Sequence, residues 1–345
     1  MLAAVFYSVQ EGVKVKEVPE PKIAKSNDVL LHIQRCGMCG TDLATLEGRN
    51  IATPPVILGH EIAAEVVDVG ADVKNIKRGD RVTIDPNISC GVCYYCRSNH
   101  PNLCPNIVSI GENIDGGYAD FLVAPESAVF KFPDSTPWDV ISLAEPLSDV
   151  VNGVSKVQIK PGETAVVYGA GTMGLLWLSL LKKSGAGTLI SVEPREKRGR
   201  AALDVGADYV IDPSKKDPVQ EVFRLTNGHG ADVAAELIGR PETVEKAIKS
   251  AAYGGRVLIM GVCKPDAVAS LSPFEIMRYE RKIMGSYIAN GNVDLAIEEL
   301  SKGFIKTSVF ITHKIPIEEI DQAFELNRKG ESVKTLIVPK GATAS

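Results

Sequence analysis

The segment TAVVYGAGTMGLLWLSLLKKSG, residues 164–185, leaves this chain few choices. A short run rich in β-branched residues ends at a glycine. A G-x-G-x-x-G spacing of Gly169, Gly171 and Gly174 then leads directly into a stretch where Met173, Leu176, Trp177, Leu180 and Leu181 recur at helical spacing. That spacing has physical meaning when it sits between a strand and a helix. The first glycine makes the tight turn, the second lets backbone approach a pyrophosphate, and the third lets the helix pack on the strand. The helix N-terminus then stabilises the phosphate charge. The plainer reading is three glycines serving a turn and nothing more. On the nucleotide reading, Thr172 and Met173 belong to the same site.

The alternation continues beyond it: TLISVEP, REKRGRAALDVGA, DYVID, VQEVFRLTNG, ADVAAELIG, PETVEKAIKSAAYGG and RVLIMGV read in turn as strand or helix. Strand–helix–strand units of this length predict a parallel sheet with right-handed crossovers. Glu193, at the end of the second strand, sits about 20 residues after the glycines, where a carboxylate can accept from a ribose 2′-hydroxyl and so favours NAD. Arg195, Arg198 and Arg200 follow closely and suit a 2′-phosphate or, more simply, a solvated helix face. The preference expected here is NAD over NADP. Before residue 150 the pattern is different, with β-like runs DVLLHIQRCG, AAEVVDVG, DRVTIDP and YADFLVAP between loops. A 345-residue chain is long for one core, and two domains of about 150–200 residues are expected.

Four of the seven cysteines crowd into CGVCYYCRSNHPNLC, as Cys90, Cys93, Cys96 and Cys104. The C-x2-C-x2-C-x7-C spacing lets a loop fold around one ion with four thiolates, which suits structural zinc. Disulfides are the reading for an oxidising compartment. An iron–sulfur cluster shares the opening spacing and the Cys104-Pro105 pair, but its last spacer is shorter and a second cluster motif is missing. Four protein ligands leave no open position, so catalysis is expected elsewhere. A second candidate set is scattered: Cys39 in CGMCGTD, His60 and Glu61 in GHE, and Glu145 in AEPL. Mixed sulfur, nitrogen and oxygen donors from distant segments resemble catalytic zinc, although spacing alone does not bring them together.

With the four-cysteine loop, the glycine fingerprint, GGYADF (116–121) and the terminal KTLIVP, these motifs make the whole chain resemble the medium-chain, zinc-dependent alcohol dehydrogenases, nearest the polyol (sorbitol-type), threonine and glucose dehydrogenase branch. The resemblance implies an α/β architecture. It comprises a mainly β, GroES-like catalytic domain (1–149 and 287–345, with a structural zinc lobe at about 88–106) and a Rossmann-type doubly wound parallel sheet (150–286). It implies two Zn2+ ions, one on Cys39 and His60 with Glu61 and Glu145 completing the contacts, the other on Cys90, Cys93, Cys96 and Cys104. Asp42 would fix the tautomer of His60, and Thr41 would bond the reacting alcohol and pass on its proton. Arg198 would meet the adenine ribose, Ile238 in LIGR (237–240) the riboses, and Gly261 and Val262 the nicotinamide. Cys36 and Cys263 read as core. A histidine common five residues after the cysteine ligand is Ala44 here, so the proton must leave by another route. Asp149 reads either as a substrate contact or as a helix N-terminal carboxylate. The implied reaction is hydride transfer from a secondary alcohol of a polyol, cyclitol or sugar-like substrate to NAD, in a homotetramer or a dimer. Threonine or aldose oxidation and NADP use are the alternatives.

Other classes fit poorly. A net charge of −5 lacks the basic face of a nucleic-acid binder. No apolar run approaches the roughly 18 residues of a membrane span, and MLAAVFYSVQEG has no secretory pattern. A cytoplasmic location is therefore expected. A metal-free reductase of the same superfamily, or a structural protein on this fold, would have lost the ligand set.

Overall fold

The computed structural model describes residues 1–343, which form two compact units, Met1–Ser148 with residues 289–343, and Asp149–Ile288. The first is mainly β. A seven-stranded sheet runs in the order Val129–Lys131, Arg81–Ile84, Glu61–Val69, Asp28–Gly37, Lys334–Val338 and Ile311–Pro316, with Phe121–Pro125 also paired to Asp28–Gly37. A three-stranded sheet of Gly12–Glu17, Leu2–Ser8 and Val56–Ile57 accompanies it. Val29, Leu31, Ile33, Ile62, Ala64 and Val66 alternate inward from the two longest strands and build this unit's core with Leu58, Tyr118 and Phe324. The C-terminal strand Lys334–Val338 closes the sheet by pairing antiparallel with Asp28–Gly37.

The second unit is the alternating segment. Its six strands, Thr164–Tyr168, Thr188–Val192, Tyr209–Ile211, Ala231–Glu236, Ala251–Ile259 and Lys282–Gly285, are all parallel and stand in the order 3-2-1-4-5-6. The order reverses between the first and fourth strands, the point where doubly wound sheets bind nucleotides. The glycine turn lies there.

Two elements differ from the sequence reading. The helix Thr172–Lys183 is expected to bury one face, yet every residue from Gly174 to Leu181 is buried while Met173 is half-buried. A Cβ on Gly153 would fall 2.7 Å from the Trp177 ring, so the helix Ala144–Val157 touches this one there, while the strands Thr164–Tyr168 and Thr188–Val192 and the helix Glu196–Asp204 pack against it elsewhere. The helix read through PETVEKAIKSAAYGG stops at Ser250, and Ala251 already begins the next strand. Gly254, at φ +74°, and a register shift beside Ala231 and Val233 absorb the abrupt change.

Candidate active site

Sheet register brings the scattered donors together. Gly37, the last residue of its strand, pairs with Glu61, the first of the neighbouring one. Two residues beyond Gly37, Cys39 caps the helix Gly40–Leu46, and His60 directly precedes Glu61. The ligand atoms of Cys39, His60 and Glu61 consequently lie within 4.8 Å of one another. Gly37 is required for this approach, because a Cβ there would fall 2.0 Å from Glu61 Oε2. Glu145, the fourth residue of the expected set, stands outside that group, in the first turn of the helix Ala144–Val157.

The cluster is polar and largely buried, with His60, Glu61, Asp42 and Glu145 all removed from solvent. Asp42 Oδ2 accepts from the Cys39 amide at 2.9 Å, and its Oδ1 lies 3.7 Å from His60 Nδ1, a buried nitrogen without a hydrogen-bond partner. Burial disfavours the His60 imidazolium, but Asp42, Cys39 and Glu145 outweigh it and hold the His60 pKa well above its usual range. Such an excess of acceptors around one imidazole is what a divalent cation relieves, and the soft and borderline donors suit zinc. Thr41 Oγ1 lies 3.5 Å from Cys39 Sγ.

The four-cysteine loop is equally well formed. Cys90, Cys93, Cys96 and Cys104 gather their sulfurs within 4.8 Å, all as free thiols. Left-handed backbone at Gly91 and Asn99 turns the chain around them. The amides of Cys90, Cys96 and Asn106 point at Cys104 Sγ, Cys93 Sγ and Cys104 Sγ, at 3.5, 3.5 and 3.4 Å. Amides of Val92 and Cys93, then the Cys104 thiol, draw Cys90 down to about 6. One thiolate thus forms readily, and four crowded sulfurs need a cation to ionise together.

In the second unit the glycine turn is built for close approach. Gly169 has φ +99°, and a Cβ on Gly174 would fall 1.8 Å from the Gly169 carbonyl oxygen. A Cβ on Gly171 would meet only Arg198 Nη1, at 3.8 Å, so open space is left where a phosphate would sit. Thr172 and Met173 open the helix, both half-buried. Glu193 is buried, and its Oε2 accepts from the Ala170 amide at 2.9 Å while Oε1 accepts from the Arg195 amide at 3.0 Å. The carboxylate is thereby clamped beside the turn. Burial lowers the pKa of Arg198. Ile238 and Val262 are exposed apolar side chains on two touching loops, for a Cβ on Gly261 would fall 2.2 Å from the Gly239 amide nitrogen.

Other readings need adjustment. Asp149 lies in the second turn of its helix, beyond the N-terminal dipole position offered for it. Cys36 is fully buried, as expected of core, but Cys263 is only half-buried. Sequence reasoning missed Lys334. It is 3% exposed side-chain, donates to both Glu61 oxygens at 2.6 and 2.5 Å and to the Met38 carbonyl at 3.1 Å. Its signal was a lone lysine opening the apolar strand KTLIV. Tyr118, inside GGYADF, also reaches the site, through Asp42.

Residues 25–134 match the model of the alcohol dehydrogenase GroES-like domain, and residues 172–302 that of the zinc-binding dehydrogenases. The chain belongs to the zinc-type medium-chain alcohol dehydrogenases. It is 32% identical to a sorbitol dehydrogenase from Bacillus subtilis (98% of this chain, 97% of the relative) and 34% identical to an L-threonine 3-dehydrogenase from Pyrococcus furiosus (99% of each). A solved zinc-binding dehydrogenase from Sinorhizobium meliloti 1021, bound to NADP, superposes with a TM-score of 0.94 at 34% identity, over 98% of this chain and 99% of that one. The family is one of oxidoreductases, and its fold accounts for both units. Among the described residues, no helix is long and apolar enough to cross a membrane.

Proposed function

We propose that this enzyme oxidises a secondary alcohol of a polyol, cyclitol or sugar-like substrate with NAD. The observation that carries the reading is the buried Cys39, His60 and Glu61 cluster, whose donor chemistry fits an open zinc site. Zinc, when bound, supplies Lewis acidity at the substrate hydroxyl, and the nicotinamide supplies the hydride acceptor. The chain's own residues do the rest. Cys39 and His60 hold the metal, with Glu61 and Glu145 as the carboxylates beside it. Glu61, already bonded to Lys334 through both oxygens, is the less available of the two. Asp42 turns the His60 ring by facing Nδ1, leaving Nε2 as the donor. Thr41 Oγ1 takes the hydroxyl proton. Ala44 offers no group to receive it next, so the proton passes to water or to the cofactor ribose. Cys90, Cys93, Cys96 and Cys104 hold a second, structural zinc.

Gly169, Gly171, Thr172, Met173 and Gly174 cradle the pyrophosphate, Glu193 takes the adenosine ribose hydroxyls, and Arg198, Ile238, Gly261 and Val262 line the rest of the nucleotide. The clamped Glu193 carboxylate supports NAD, whereas the NADP-bound relative and the arginines after Glu193 support NADP as the second reading. The relatives' names set threonine beside sugar alcohols as a substrate class. Assembly is proposed as a homotetramer or dimer built on the edge strand Lys282–Gly285, whose outer side is unpaired in the sheet. The deciding assay is NADH formation by zinc-loaded protein at mildly alkaline pH with pooled polyols and cyclitols. A signal supports the reading. Activity only with threonine, aldoses or NADP replaces it with an alternative, and activity with none of them refutes it.

A further inference from the structure

GGYADF enters the site through one atom. Residues 116–118 zip onto the segment that delivers His60: Gly116, Gly117 and Tyr118 donate their amides to the carbonyls of Ile57, Gly59 and Leu58 at 2.8, 2.7 and 2.9 Å. The Tyr118 side chain is fully buried. Its ring lies on Gly59, where a Cβ would fall 2.6 Å from Cδ1, and meets Phe324 edge to face at 6.5 Å. Thus held, it donates its hydroxyl to Asp42 Oδ2 at 2.6 Å. The same oxygen accepts from the Cys39 amide at 2.9 Å, and the other oxygen faces His60 Nδ1. One phenol therefore links the segment before His60 to the carboxylate that caps Cys39.

We propose that Tyr118 is a positioning residue for the metal site: its hydroxyl, by occupying Asp42 Oδ2, sets the rotation of a buried carboxylate so that Oδ1 faces His60 Nδ1 and the ring presents Nε2 to the ion. This rests on the reading of Cys39 and His60 as zinc ligands. A carboxylate 1% exposed cannot turn to water, so its two donors on Oδ2 decide where Oδ1 points. A short O–H···O− bond is among the stronger hydrogen bonds available, and partners at this remove from a metal commonly govern about 10–100-fold of its affinity. The ring alone fills the space; the hydroxyl supplies the direction.

The test compares the full-length chain with Tyr118→Phe, Asp42→Ala and the double variant. Zinc per chain is counted during competition with a graded chelator, the four-cysteine loop serving as an internal control for the second ion. Tyr118→Phe is expected to weaken one zinc about 10-fold and leave the other unchanged, and to add nothing in the Asp42→Ala background, because it acts through that carboxylate. Urea midpoints of the chelated proteins report any structural effect separately. Wild-type affinity in Tyr118→Phe overturns the proposal. So does equal weakening of both ions, or a loss that multiplies with that of Asp42→Ala. A wild-type chain that holds zinc only on the four cysteines overturns it differently, by removing the metal site itself.

Discussion

Replacing Lys334 with methionine isolates one buried charge. Lys334 and Glu61 are 3% and 1% exposed at the side chain, and both Glu61 oxygens take the ammonium. Methionine keeps the length and apolar stem of lysine but removes the cation, so the Glu61 carboxylate is left buried. It cannot swing to solvent, being pinned beside Gly37. Breaking a buried pair from one side costs about 3–5 kcal/mol. In a unit of about 200 residues that is roughly 6–20 °C in melting temperature. Burial opposes the Lys334 charge, but Glu61 first, then Cys39 and Glu145, raise its pKa. Because the folded value is raised, the stabilisation is full below about 10.5, the usual lysine value, and lost only as pH rises through the folded value; at pH 7 the whole effect is visible. The assay is thermal and urea denaturation at pH 7 with chelator present, so that no dication stands in for the lysine. Adding Glu61→Gln should recover most of the loss, since a neutral amide needs no counter-charge. A loss under 1 kcal/mol in Lys334→Met, or an equal loss with and without Glu61→Gln, would refute the reasoning.

Three further outcomes follow from the same geometry. Gly174→Ala should misfold the nucleotide unit, read as a lost thermal transition, whereas Gly171→Ala, with open space around its Cβ, should leave the melting temperature within about 1 °C and raise the cofactor Kd at least 10-fold. Cys96→Ser should release one zinc and lower the melting temperature by several degrees, with kcat falling less than the folded fraction does at 37 °C. Asp85 carries a pKa raised by burial, only partly offset by the Asn87 amide it accepts from. Its contribution to stability is therefore full below about 3.8 and lost as pH rises through the folded value. Asp85→Asn should flatten that decline, measured as urea midpoints between about pH 4 and 7.

Much of this was legible in the chain because the signals are local. A glycine turn, a period-3.6 helix and a C-x2-C-x2-C loop each close within a few tens of residues, so spacing alone constrains their geometry. The parallel sheet also followed from the strand–helix alternation, since short crossovers permit few topologies. The helix over 172–183 shows where the pattern stopped informing. Its apolar stripe predicts one buried face, and only the elements packed around it, the neighbouring strands, the helix Glu196–Asp204 and the approach of Gly153 to Trp177, explain why every residue from Gly174 to Leu181 is covered.

The residues of the candidate site divide the same way. Sequence by itself named Cys39, His60, Glu61 and the four-cysteine loop, because thiols and imidazoles in glycine-punctuated loops are scarce and their chemistry is narrow. What it could not supply was register. That Gly37 lies opposite Glu61, that Lys334, some 270 residues along the chain from Glu61, arrives on the adjoining strand, and that Tyr118 OH ends on Asp42 are consequences of strand pairing. Pairing is set by the burial of whole sheet faces, a sum over the unit that no short window of sequence contains.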